Sequence, residues 1–147
     1  MLISHLSTVE LDIEDNYLSG DLWPIPEMES IERVYAYDNI LGGDPTDNPY
    51  SFNATRAQGD LATSPIMRTV GLKALDVSTN YYWGTIPTSF GGMRRQQELG
   101  LEDLELEGDV PPEIFGLGRL SKLYLGENSL DGTIPAEVGN AKSLGER

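Results

Sequence analysis

At 147 residues, 39% apolar and 23% charged, the chain has the size and composition of one globular domain rather than two. Its 24 acidic against 10 basic residues leave a net charge of -14, which opposes direct binding to nucleic acid phosphates or anionic membranes and favours a basic or polar partner. There is no cysteine and hence no disulfide or thiolate chemistry; no stretch approaches the roughly 20 apolar residues of a membrane span, and the start MLISHLSTVE lacks the parts of a signal peptide.

In chain order, the first organised stretch is Thr8–Trp23, TVELDIEDNYLSGDLW. Leu11 and Ile13 alternate as a short strand, Asn16 marks a corner, and Leu18 and Gly20 follow. Ile31–Pro45 repeats this with Val34, Ala36, Asn39, Leu41 and Gly43, one step of 23 residues later from Asn to Asn. From residue 44 to 61 the register is disturbed and turn residues dominate. That stretch reads either as a shortened turn ending at Gly59-Asp60-Leu61 or as an inserted loop, with Tyr50, Phe52 and Gly59 at the pattern's offsets. The pattern resumes in Leu72–Pro87 (Leu72, Leu75, Val77, Asn80, Tyr82, Gly84, Ile86-Pro87). It continues in Gln96–Pro111, with Leu104 where Asn is expected, and in Leu120–Pro135, LSKLYLGENSLDGTIP. Asn80, Leu104 and Asn128 are spaced by 24 and 24 residues. Segments between copies, such as TSFGGMRR and PEIFGLGR, space their apolar residues three apart and predict single helical or 3₁₀ turns.

Neither a helical period nor simple strand alternation fits a unit of this kind, and no unit can bury its apolar side alone. Stacked in parallel, Leu11, Val34, Leu75, Leu99 and Leu123 form one ladder, and Ile13, Ala36, Val77, Leu101 and Leu125 a second. The Asn column is scaffold on this reading: a buried amide at the corner can bond to backbone groups of its own turn and of the next coil. Leu104 then costs local hydrogen bonding while adding apolar burial.

These residues resemble the leucine-rich repeat family, more narrowly its plant-type class, whose unit reads L-x-x-L-x-L-x-x-N-x-L-x-G-x-I-P. The resemblance covers most of the chain. It implies an α/β, β-rich fold: a right-handed solenoid of about six turns, with a concave parallel β-sheet and helical or extended segments on the convex side. The expected organisation is one domain over residues 1–147, irregular at 44–61. Plant-type members usually carry cysteine-containing caps, so a cysteine-free chain implies a fragment of a longer array, a divergent member or an array that uses other capping, the fragment being the expectation; exposed terminal coils would favour association.

In such a coil, residues flanking the strand leucines point to the concave face. The predicted ligand-binding residues are Tyr17, Tyr35, Tyr37, Asp38, Asp76, Tyr81, Glu102, Asp103, Tyr124 and Glu127. Tyrosine offers contact area and a hydroxyl at low entropy cost, and Tyr35 and Tyr37, two apart on one strand, face outward together. The expectation is a non-catalytic module that recognises a protein or a peptide, a basic one in particular. The resemblance implies a receptor-ectodomain setting, extracellular or at the cell surface. The rival is a structural or surface-binding role, as in ice or cell-wall adhesion, which would need a flat repeated column of one residue type. An enzyme is not expected, nor a cofactor or a metal. His5, the only histidine, has no partner in a recognised nucleophilic motif, and Glu102, Asp103, Glu105 and Glu107 lack the ligand spacing of a calcium loop. Gly116-Leu-Gly118 lacks the rest of a dinucleotide fingerprint. Asn53-Ala54-Thr55 is an N-glycosylation acceptor pattern, relevant only on a secretory route.

Overall fold

The computed structural model describes residues 9–22, 25, 28–42 and 59–145. Where the sequence alternates before each Asn position, a three-residue strand forms: β1 (Glu10–Asp12), β3 (Arg33–Tyr35), β5 (Ala74–Asp76), β7 (Glu98–Gly100) and β9 (Lys122–Tyr124). They join in that order into one parallel sheet. Leu11 stands beside Val34, then Leu75, Leu99 and Leu123, as the apolar ladder requires. Strands this short cannot persist singly, and what holds them is the row of side chains each turn buries against the next. Val34, Leu75 and Leu99 in the middle of that row are wholly buried, while Leu11 and Leu123 at its ends are half-buried.

Past each corner the chain makes a second short strand: β2 (Ser19–Gly20), β4 (Ile40–Leu41), β6 (Trp83–Thr85), β8 (Glu105–Gly108) and β10 (Ser129–Leu130). These form two further parallel sheets, β2 with β4 and β6-β8-β10, and Asp60 bridges to Trp83 beside them. The 3₁₀ turns expected between copies occur at Pro65–Arg68, Thr88–Gly92, Pro112–Gly116 and Ala136–Asn140. Ile66, Phe90 and Ile114 point inward from three of them and are fully buried.

Among the described residues the concave sheet has five strands and passes directly from β3 to β5. Gly42 and Gly59, which border residues 43–58, lie together. A Cβ on Gly59 would meet the Gly42 carbonyl oxygen at 2.5 Å, and one on Gly42 would meet the Tyr81 carbonyl carbon at 2.9 Å. Gly42 has φ +78°, the left-handed conformation that Gly20, Gly84 and Gly108 take in their own turns. Gly43, the expected closing glycine of the second copy, lies outside the described residues, as do His5, Asn53, Tyr50 and Phe52. Leu61, fully buried, takes up the core again.

The Asn column bonds to its own turn and to the preceding coil; the expected partner, the following coil, is on the other side. Asn39 donates through Nδ2 to the carbonyls of Ile13 (2.9 Å), Ala36 and Tyr37, and its Oδ1 accepts the Leu18 N–H at 2.9 Å. Asn80 does the same with Ala36 (2.9 Å), Val77, Ser78 and the Leu41 N–H (2.8 Å). Asn128 does so with Leu101 (2.7 Å), Leu125, Gly126 and the Leu106 N–H (3.1 Å). The direction follows from the corner, which turns the amide towards the strand exit of the turn before it. Leu104 is buried at the vacant position of the column, and the Tyr82 N–H gains no bond of this kind among the described residues.

One polar knot lies within the solenoid. The Asp21 Oδ1 accepts the Leu22 N–H (2.7 Å), the Ser64 hydroxyl (2.7 Å) and the Tyr82 hydroxyl (2.9 Å), tying together three successive turns. Burial, then the Asp21 carboxylate, push the Tyr82 phenol well above its ordinary range.

Candidate ligand-binding face

Side chains that alternate with the ladder leucines form columns across the concave sheet. One runs Asp12, Tyr35, Asp76, Gly100, Tyr124, and the column on the other side of the leucines runs Glu10, Arg33, Ala74, Glu98, Lys122. Tyr35 and Tyr37 lie at the second turn, both half-buried by their neighbours. Burial, then the carboxylates of Glu98 and Glu10, raise the Tyr35 phenol. The Glu14 carboxylate, hydrogen-bonded to the Tyr37 hydroxyl, is the chief cause that pushes Tyr37 up to about 12, and Asp12 and Asp76 add to it. Both tyrosines are therefore neutral donors at any physiological pH, set among carboxylates.

Few of those carboxylates are neutralised. Among the described residues the ion pairs are Lys73–Glu32 (2.6 Å), Arg95–Glu32 (2.8 Å) and Lys122–Glu98 (3.0 Å). Only the last lies on the concave columns, where Glu98 holds the Lys122 ammonium above its ordinary range. Asp12, Glu14, Asp76 and Glu102 have no ion pair among the described residues. Asp76 is held in place: its Oδ1 accepts the Ser78 N–H at 3.0 Å, and its carboxylate lies over Gly100, where any Cβ would collide with it. Glu102 lies similarly over Gly126, with its own N–H on the Ser78 hydroxyl at 3.1 Å. Glycine at those two positions leaves room for the two carboxylates to lie across the backbone beside Tyr124.

Tyr35, Tyr37, Asp76, Glu102 and Tyr124 thus share the concave face. Asp38, Asp103 and Glu127 do not stand on strands: with Asp15 and Thr79 they occupy the residue before the Asn column, all with φ between 50° and 55°. Five left-handed non-glycine residues at one equivalent position are a property of the corner, not of a binding site. Tyr17 and Tyr81 are corrected further. They follow the Asn column, in line with Ile40, Glu105 and Ser129, which open strands of the second sheets, so they belong to the flank beyond the corner. Asp38, Tyr81 and Asp103 nonetheless come together there, lining with Thr79 and Glu105 a shallow groove of about 310 Å³. Glu98, Gly100, Lys122 and Gly126 stand at outward offsets readable in the sequence, but the Lys122–Glu98 pair and the carboxylates lying over the two glycines were not foreseen. A larger groove, about 620 Å³, lies on the convex side between two 3₁₀ turns, with Arg94, Glu113 and Arg119 on its walls and none of the predicted site residues.

The model of the leucine rich repeat family matches residues 119–141. The plant peptide hormone receptor RGFR1, solved in complex with RGF2, is similar over 92% of the chain at 31% identity, with a TM-score of 0.74. The chain is a plant-type leucine-rich repeat protein. The Arabidopsis receptor kinase HAESA, in complex with the peptide hormone IDA and the co-receptor SERK1, matches 92% of this leucine-rich repeat chain at 25% identity and a TM-score of 0.70. A plant ice-binding protein matches 92% of it at 25% identity and a TM-score of 0.69. The chain spans 19%, 20% and 38% of the lengths of these three. Among curated proteins none matches. The solenoid is a β-rich repeat scaffold, and no helix among the described residues is long and apolar enough to cross a membrane.

Proposed function

We propose that this solenoid is a non-catalytic recognition module that takes a basic peptide or protein segment on the first three turns of its concave face, in an extracellular or cell-surface setting. The observation that carries the reading is the pair Tyr35 and Tyr37, hydroxyl-bearing and neutral, flanked by Asp12, Glu14 and Asp76 without a neutralising cation among the described residues. A guanidinium or ammonium group laid there meets aromatic faces and carboxylates together, and both attract it. Similarity to receptors solved with peptide hormones supports the peptide part of the reading. That the chain is one segment of a longer array is part of the same proposal.

The test is a binding screen of the purified chain against cationic, neutral and anionic peptides, followed by salt titration and Tyr35→Ala and Tyr37→Ala. Cationic peptides are expected to bind best, with affinity falling as salt rises and by about tenfold for either substitution. A flat response across the three peptide classes would discard the acidic-face reading. The second reading, surface adhesion of the kind an ice-binding protein performs, has the likeness in fold behind it. Against it stands the column Asp12, Tyr35, Asp76, Gly100, Tyr124, which repeats no residue type from one turn to the next.

A further inference from the structure

Charge in this molecule is segregated by side. Four segments begin at a 3₁₀ turn on the convex side: residues 65–73, 88–97, 112–121 and 136–143. They hold six of the eight cations among the described residues, Arg68, Lys73, Arg94, Arg95, Arg119 and Lys142, against two carboxylates, Glu113 and Glu137. The chain around them has a net charge of -14. Lys73 and Arg95 are paired with Glu32. Arg94 and Arg119 have no ion pair among the described residues, and both stand exposed on the walls of the convex groove of about 620 Å³.

The backbone of this groove departs from the repeat. After each C-cap of the other 3₁₀ turns, the next residue donates its N–H to the carbonyl two residues back: Val70 to Arg68 (3.0 Å), Arg94 to Gly92 (3.0 Å) and Lys142 to Asn140 (2.9 Å). Gly118, at the same position, makes no such bond. Its turn is opened at the C-cap Leu117, where ψ is 92°, against 65°, 63° and 66° at Thr69, Met93 and Ala141. An N–H without an acceptor among the described residues is thus left in the groove that Arg94 and Arg119 line. Gly116 and Gly118 have open space where a Cβ would stand, so a ligand can approach the backbone there. Glu113 is set beside them by close packing of the two turns, since a Cβ on Gly91 would lie 2.6 Å from the Glu113 Cβ.

We propose that this groove takes an acidic segment of a partner protein, with a carboxylate of that segment on Arg94, Arg119 and the Gly118 N–H. Guanidinium forks and a backbone N–H are the donors that hold a carboxylate by charge-assisted hydrogen bonds. Glu113 decides the kind of anion. A polyanion brings further negative charge against it, whereas a polypeptide also offers backbone N–H groups that the Glu113 carboxylate accepts. The groove lies between inner turns of the solenoid, so further coils at either end leave it as it is. None of the concave tyrosines or carboxylates lines it, and the site stands independently of what the concave face binds.

Amide NMR spectra of the full chain, titrated with a Gly-Ser peptide carrying glutamates, with its glutamine counterpart and with dextran sulfate, test this. The glutamate peptide is expected to shift the amides of Gly91, Gly116 and Gly118, and the glutamine peptide to shift none. Arg94→Ala and Arg119→Ala are each expected to weaken binding of the glutamate peptide about fivefold, and the double variant to abolish it. Unmoved amides elsewhere in the variants' spectra separate loss of binding from loss of fold. Equal binding of the glutamine peptide, shifts confined to other residues, or an affinity that neither substitution changes would each overturn the proposal. Dextran sulfate binding in this groove more tightly than the glutamate peptide would overturn it in favour of a polyanion.

Discussion

Asn80 shows how one side chain holds a turn. Its amide satisfies three carbonyls and one N–H, across two coils, and it is almost wholly buried. Removing it leaves those groups dry and unpaired, and each such group costs about 1–3 kcal/mol. Asn80→Ala is expected to lower stability in urea unfolding by about 2–4 kcal/mol, with little change in m-value. Leu104 answers the same position with apolar burial, and the Tyr82 N–H beside it has no column bond. At this scale the Asn positions and the ladder leucines were readable from spacing alone, whereas the left-handed glycine of the second turn is Gly42, one residue before the expected offset. The left-handed residues before each Asn were not readable, because Asp15, Asp38, Thr79, Asp103 and Glu127 share no side-chain type; only the corner's geometry demands that conformation.

At the scale of the elements, strands three residues long are joined laterally by few groups, and Glu32 is prominent among them. Its carboxylate bridges Lys73 on the following turn and Arg95 on the one after, while its backbone carbonyl accepts the Lys73 N–H at 2.6 Å. The Lys73 hydrogen bond is the main cause of a pKa held below the ordinary carboxylate range. A lowered folded-state pKa gives stability that is present above the ordinary carboxylate pKa and lost as pH falls through the lowered one. Glu32→Gln is therefore expected to be less stable than the parent at neutral pH and to converge with it in acid, below that lowered value, in thermal melts followed across pH. A difference that persists unchanged in acid would locate the effect elsewhere. The sheet beyond the corner escaped sequence reasoning at this scale. Its strands, such as Ser19–Gly20 and Ile40–Leu41, are two residues long and carry no alternation to detect.

For the molecule as a whole, the stacked turns are a single apolar column, and Gly42 and Gly59, which border residues 43–58, lie against each other. Joining Gly42 to Gly59 directly, with residues 43–58 deleted, is expected to preserve the far-UV circular dichroism of the solenoid and its cooperative melt, since Gly42 and Gly59 already meet and a shorter connection costs less closure entropy. Loss of the cooperative transition would show that the stretch supplies packing to the core. The repeat, its parallel stacking and the inward ladder were determined by the sequence alone, because period and apolar spacing are local properties and stacking is the way such units bury their faces. Which outward residues share a face was decided only by the tertiary structure. An offset from a leucine does not say where the strand ends or the corner bends: Tyr35, Asp76 and Tyr124 stand on strands, Tyr37 and Glu102 lie two residues past the strand ends rather than on them, and the bend after the left-handed residue carries Tyr17 and Tyr81 to the flank.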